Sequence, residues 1–336
     1  MMEWHLLLAV VLALGVRSTV AACPPATVTL ANGTVVGSTD SATNIQRFLG
    51  VPYAQPPVGD LRLRQAVSLN ASFGTLQATM FGYSCHGRGP NGNSSEDCLT
   101  LNIWRPCGLP SAPLPVMVWL YGGGLAAGSA SQPLFDGTNL VRISTEIGKP
   151  VLLVSLNYRL AGLGFLAARQ MAELGLLNLG MLDQRLALAW VRDNARAFGG
   201  DPAKVTLFGE SAGAVSIYSH MAAYGGRDDG LFRAAILQSG GAFPLSRPDA
   251  PAPQAAFDSL ITNTNCASLA KANASEQLDC IRRLPIAEFR AKVGGTTGQY
   301  IDGGFSPTSI QFAFPAGKYV KVATMVGGLS LLSDLR

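Results

Sequence analysis

The run Val205-Thr206-Leu207-Phe208-Gly209-Glu210-Ser211-Ala212-Gly213-Ala214 decides the fold. A short, apolar, β-branched segment enters Gly-x-Ser-x-Gly, and a helix-compatible segment from Ala212 to Ala223 leaves it. Strand, sharp turn and helix in that order make a nucleophile elbow, which lifts a serine hydroxyl above a parallel sheet. Glycine at 209 and 213 suits a turn so tight that neighbouring backbones leave no room for a Cβ. The helix that starts after Ser211 directs unpaired N–H groups and a positive dipole end at developing negative charge. Ser211 is the candidate nucleophile. A plain surface turn would explain the glycines but not the flanking strand and helix.

A second stretch, Pro115-Val116-Met117-Val118-Trp119-Leu120-Tyr121-Gly122-Gly123-Gly124, reads as a buried strand ending in three glycines. Such a run packs no side chain and loses much entropy on folding. It is tolerated where backbone itself must approach a ligand, as in an oxyanion hole. Donors there sit about 2.7–3.1 Å from the developing oxyanion, each supplying roughly a hundredfold or more in rate. Taken alone the triplet is as readily a flexible loop. Paired with the elbow, the oxyanion reading prevails.

Apolar strand candidates lie at Leu99–Trp104, Val116–Tyr121, Val151–Asn157, Val205–Phe208, Ala234–Gln238 and Val320–Val326. Helical patterns sit between several of them, most plainly Leu182, Leu186, Ala189 and Trp190 at three- and four-residue spacing. That helix is expected to stop at Gly199-Gly200, with Asp201-Pro202 turning the chain into the elbow strand. Nearly continuous apolar strands alternating with helices predict an α/β fold, with a mostly parallel central sheet covered on both faces. The four prolines between Pro244 and Pro253 predict a loop. No internal repeat is present.

The chain has 336 residues, 48% hydrophobic and 14% charged, with a formal net charge of +4. This suits a compact domain rather than a disordered chain, and gives no reason to expect a nucleic-acid partner. Residues 1–22 read as a secretion signal, with an apolar run from Leu6 to Val16 and small residues at Ala21 and Ala22. Eleven apolar residues are too few to span a bilayer. The uncharged stretch from Pro106 to Phe135 is interrupted by Pro113, Pro115, the glycine triplet and Gly128, so a buried strand and loop explain it better than a membrane helix. Sequons at Asn32, Asn70, Asn93 and Asn273 mark candidate glycosylation sites in an extracellular setting. Six cysteines allow fifteen pairings. With no Cys-x-x-Cys or histidine-rich cluster, neither a metal site nor a cofactor is expected.

At this point the chain resembles the type-B carboxylesterases and lipases, which include the cholinesterases. Phe48-Leu49-Gly50-Val51-Pro52-Tyr53-Ala54-Gln55-Pro56-Pro57-Val58-Gly59-Asp60-Leu61-Arg62 is similar to the family's N-terminal signature. Glu96-Asp97-Cys98-Leu99-Thr100-Leu101-Asn102 resembles its second signature and Asn157-Tyr158-Arg159 a third. Gly180 to Gly213, with Asp183-Gln184-Arg185, Trp190-Val191 and Phe198-Gly199-Gly200-Asp201-Pro202, resembles the block that ends in the elbow. The resemblance implies an α/β-hydrolase fold over residues 23–336, incomplete at the C-terminus, and cleavage of small-molecule or lipid carboxylic esters by a Ser-Glu-His mechanism. Carried over, the oxyanion donors are Gly123, Gly124 and Ala212. Leu125 departs from the aromatic residue usual after the triplet. The resemblance also implies Cys85–Cys98 and Cys266–Cys280 bridges, leaving Cys23 and Cys107 over. A disulfide-closed flap would fall between Cys85 and Cys98.

The partners of Ser211 are where the pattern departs from the family. In this fold the order is serine, acid, histidine. The histidine after Ser211 is His220, nine residues along the same helix, where a packed or surface role is expected. His86 precedes the serine, and His5 lies in the signal. Tyr319–Gly328 resembles the strand before the family's acid, but Leu329-Ser330-Leu331-Leu332 follows, and Asp334 is two residues past the expected place. Three readings follow: part or an altered product of an active secreted esterase, a short and catalytically crippled chain, or a binding protein. Ser211 and the glycine triplet count against the last. The expectation is a secreted ester hydrolase as a class. This chain by itself is expected to be inert and poorly soluble, with a sheet edge and a core face uncovered. Which ester it takes, and its oligomeric state, stay open.

Overall fold

A computed structural model describes residues 23–88, 93–293 and 298–328 of the chain. The expected signal at 1–22 and the terminal stretch with Leu329 and Asp334 lie outside the described residues. Eight strands form the central sheet: β1 (Ser38–Asp40), β2 (Ile45–Pro52), β3 (Thr100–Pro106), β4 (Leu114–Leu120), β5 (Leu152–Leu156), β6 (Gly200–Glu210), β7 (Ala234–Gln238) and β8 (Ala323–Gly327). Their spatial order is β8-β7-β6-β4-β5-β3-β2-β1. The half from β5 to β8 is parallel, and β3, β2 and β1 add on antiparallel. The sheet is therefore mixed, with the elbow in its parallel half.

Each apolar run identified from sequence became a strand, with ends shifted by a few residues. β2 went unread, because its apolar residues belong to the stretch taken as a signature. The expected helix around Leu182–Trp190 spans Leu179–Asn194 and a short 3₁₀ turn, Ala195–Phe198, ends it at Gly199. The proline-rich loop is corrected in part: Pro251 and Pro253 lie in the first turn of a helix, Pro251–Thr262. Proline fits there because the first helical N–H groups have no intrahelical acceptor to lose.

Helices lie on both faces. On one, Leu179–Asn194 and Ala212–Ala222 bury Val118, Leu207, Ala235 and Leu237 almost completely. On the other, the helix Thr138–Glu146 sets Val141 against Trp104 and Leu153. Coverage of that face fades along the sheet. Trp119, Phe208, Ile236 and Met325 stand in register across β4, β6, β7 and β8; the first three are half-buried and Met325 is 66% exposed. All five residues of β8 are exposed.

Three disulfides join Cys23 to Cys107, Cys85 to Cys98 and Cys266 to Cys280. The signature motifs become two ion pairs. Arg62 clasps Glu96 through Nε and Nη2, both at 2.6 Å. Arg159 clasps Asp183 at 2.7 and 2.6 Å, and its own backbone N–H donates to the same carboxylate. Among the described residues no helix is long and apolar enough to cross a membrane.

Candidate active site

Loops leaving the C-terminal ends of the parallel strands converge where the strand order reverses, the usual place for a ligand in an open α/β sheet. β6 delivers Ser211, β4 the glycine triplet, and β7 the segment Ser239–Gly241. Ser211 has φ 54° and ψ −120°, a conformation that non-glycine residues rarely hold. It is pinned on both sides: its N–H donates to Gln238 O at 2.9 Å, and its carbonyl accepts from Val215 N at 3.0 Å. A Cβ on Gly209 would lie 2.8 Å from Leu120 O, and one on Gly213 would collide with the same oxygen. Packing of the elbow against the end of β4 thus requires both glycines.

The triplet is held beside the elbow. Gly123 has φ 105° and Gly124 φ 64°, a left-handed path that L side chains resist. Ala126 and Ala127 N–H both donate to Gly123 O, closing the turn. Tyr121 and Tyr158 stack at 4.7 Å beneath it, and the Tyr158 hydroxyl donates to Tyr121 O at 3.1 Å. Ala212 opens the helix after Ser211, so its N–H has no intrahelical acceptor. Ser211, Ala212, Gly124 and Leu125 line one cavity of about 500 Å³ with Phe243 and Leu245. Gly123 is not part of that wall. Leu125 itself has φ 59°.

Neither described histidine bonds to Ser211. His86 Nδ1 pairs with Ser94 Oγ at 2.9 Å. His220 is fully buried, with Nε2 2.9 Å from Gln184 Oε1 and its ring edge-on to Phe305. A packed or surface role was expected for His220; it is packed, within a network that went unread. Gln184 Nε2 donates to Ser216 Oγ, and Ser216 Oγ donates to Ala212 O at 2.8 Å. The signal was the four-residue spacing of Ala212, Ser216 and His220, which puts them on one stripe of the helix.

Burial, reinforced by the charge of Arg185, holds the His220 imidazole well below its ordinary value of 6.5. The unfolded chain titrates near 6.5. Below that pH the unfolded state takes up a proton that the folded state refuses, so stability is complete above about pH 6.5 and falls as pH drops below it. His220→Leu is expected to flatten the fall in Tm between about pH 6.5 and 5. A slope equal to that of the parent would assign the acid sensitivity elsewhere.

A doubly flanked mixed sheet with a serine elbow facing a glycine triplet is the α/β-hydrolase arrangement. The chain belongs to the carboxylesterase family, whose model matches residues 24–327. It is 41% identical to Lipase 4 of Diutina rugosa over 82% of this chain and 54% of that protein. To Secreted lipase 1 of Botryotinia fuckeliana it is 35% identical, over 91% of this chain and 59% of that one. Among solved structures, EstA of Aspergillus niger superposes with a TM-score of 0.78 at 33% identity, covering 89% of this chain and 59% of EstA. The chain thus spans little more than half the length of these relatives.

Proposed function

We propose that the chain carries the nucleophile and oxyanion hole of a secreted carboxylic ester hydrolase. The observation that supports this best is Ser211 held in a strained elbow conformation in one cavity with Gly124 and Ala212. Ser211 Oγ adds to the ester carbonyl carbon as its proton passes to a base. The N–H groups of Gly123, Gly124 and Ala212 receive the oxyanion, the alcohol departs with a proton, and water releases the acid from the acyl-serine. Leu125, Val215, Phe243 and Leu245 give the cavity an apolar wall suited to an acyl chain. The fungal lipase relatives point the same way, toward small-molecule or lipid esters.

Secretion is supported by residues 1–22, by the three disulfides and by the secreted lipase among the relatives. The sequons at Asn70, Asn93 and Asn273 are exposed and open to glycans. Asn273 caps a helix with Oδ1, accepting from Glu276 N, which leaves Nδ2 available. Asn32 is the exception, since its Nδ2 donates to Ala71 O at 3.1 Å.

A second reading, a chain that binds esters without cleaving them, draws on the absence of any histidine bonded to Ser211 among the described residues. A chimera separates the two. Residues 23–327 joined to the remainder of Lipase 4 are expected to hydrolyse p-nitrophenyl butyrate, and Ser211→Ala in that chimera to lose about a millionfold in turnover. Turnover unchanged by the substitution would remove Ser211 from the mechanism.

A further inference from the structure

A second cleft, of about 480 Å³, shares no lining residue with the serine cavity. Its volume falls within the range of about 300–1,000 Å³ typical of small-molecule sites. His86, Arg88 and Arg290 line it, and none of the described residues of its wall is acidic. The rest of the lining is apolar, including Leu160, Leu163 and Phe289. Glu96, the acid beneath it, is already clasped by Arg62 at 2.6 Å. Among the described residues Arg290 donates to the Gly87 carbonyl at 3.3 Å and forms no ion pair. Its charge is felt at His86, whose imidazole is held below its ordinary value first by burial and then by Arg290.

Cations beside an apolar wall match one kind of ligand, an anionic head carrying an alkyl tail. A guanidinium pairs with a carboxylate through two parallel N–H···O bonds, while the tail covers Leu160, Leu163 and Phe289. We propose that this cleft binds an amphiphilic carboxylate, with the head on Arg290 and the tail along the apolar wall. The cleft is separate from the serine cavity but touches the same loop. Arg88 N–H donates to Ala126 O at 2.7 Å, and Ala161 N–H donates to Leu125 O at 2.8 Å. A bound ligand therefore bears on the residues that follow Gly124.

The test is calorimetric titration of the 336-residue chain with decanoate, decanol and acetate. Decanoate is expected to bind at one site, decanol and acetate at least about tenfold more weakly, since each lacks half of the recognition. Arg290→Gln is expected to weaken decanoate about tenfold or more, in line with losing a hydrogen-bonded charge. Ala287→Trp, at an exposed position on the rim, is expected to block it. Both residues are at the surface, so neither substitution endangers the fold. Decanoate affinity unchanged in both variants would place the ligand in the serine cavity instead and overturn the assignment, as would equal affinity for decanol.

Discussion

The 336-residue chain, expressed by itself, is expected to stay unlabelled by a fluorophosphonate probe that reacts with activated serines. A serine hydroxyl is a poor nucleophile until a base draws off its proton. His220 lies on the helix that follows the elbow, yet its ring is turned into the core, paired with Gln184, and held neutral by burial. His86 is engaged with Ser94 and lines the second cleft. Loss of the base in a serine triad costs about a millionfold in turnover. Gel-resolved labelling against a Ser211→Ala blank measures this directly. Strong, saturable labelling that disappears in the blank would show that another residue completes the site.

Asp183→Ala is expected to cost about 3–5 kcal/mol of stability, enough to unfold much of a marginal domain. The Asp183 side chain is fully buried and that of Arg159 is 3% exposed. Removing the acid strands a guanidinium in the core and also frees the Arg159 backbone N–H that it accepts from. Replacing Asp183 with Asn keeps the shape and one acceptor, and should cost less. The exposed pair Arg142–Glu146, with side chains 36% and 58% accessible, offers a control. Glu146→Ala there should change stability by about 0.5 kcal/mol or less. Denaturant midpoints for the three variants decide it, and equal shifts for Asp183→Ala and Glu146→Ala would show that the buried pair contributes nothing special.

What was legible in the sequence was local. The strand–turn–helix at 205–223 and the glycine triplet at 122–124 were both read correctly as to conformation, because residue type and spacing within each stretch signal it. A serine between glycines at the end of an apolar run has few alternatives. The parallel sheet and its helices were equally readable, since apolar period and turn residues are short-range properties. Boundaries were less so. β6 begins five residues before the expected Val205, because pairing to β4 extends it beyond its apolar stretch. Pro251 and Pro253, taken as loop residues, begin a helix because a helix start asks nothing of a proline that it lacks.

Only the tertiary structure decided which distant residues meet. Arg62 finds Glu96 across 34 positions, Arg159 finds Asp183 across 24, and Gln184 joins Ser216 across 32. Apart from Ser216, these residues stood in the sequence as signatures without partners. Composition and spacing name candidate charges, but which pairs form depends on the strand order β6-β4-β5-β3, which brings the ends of non-consecutive strands together. The same ordering sets Gly124 and Ser211 on one cavity wall and leaves His86, Arg88 and Arg290 around another. A turn's residue types are read within the turn, but even the room its glycines leave is set by Leu120 of β4, and a site's electrostatics are fixed by whichever chain segments the sheet lays side by side.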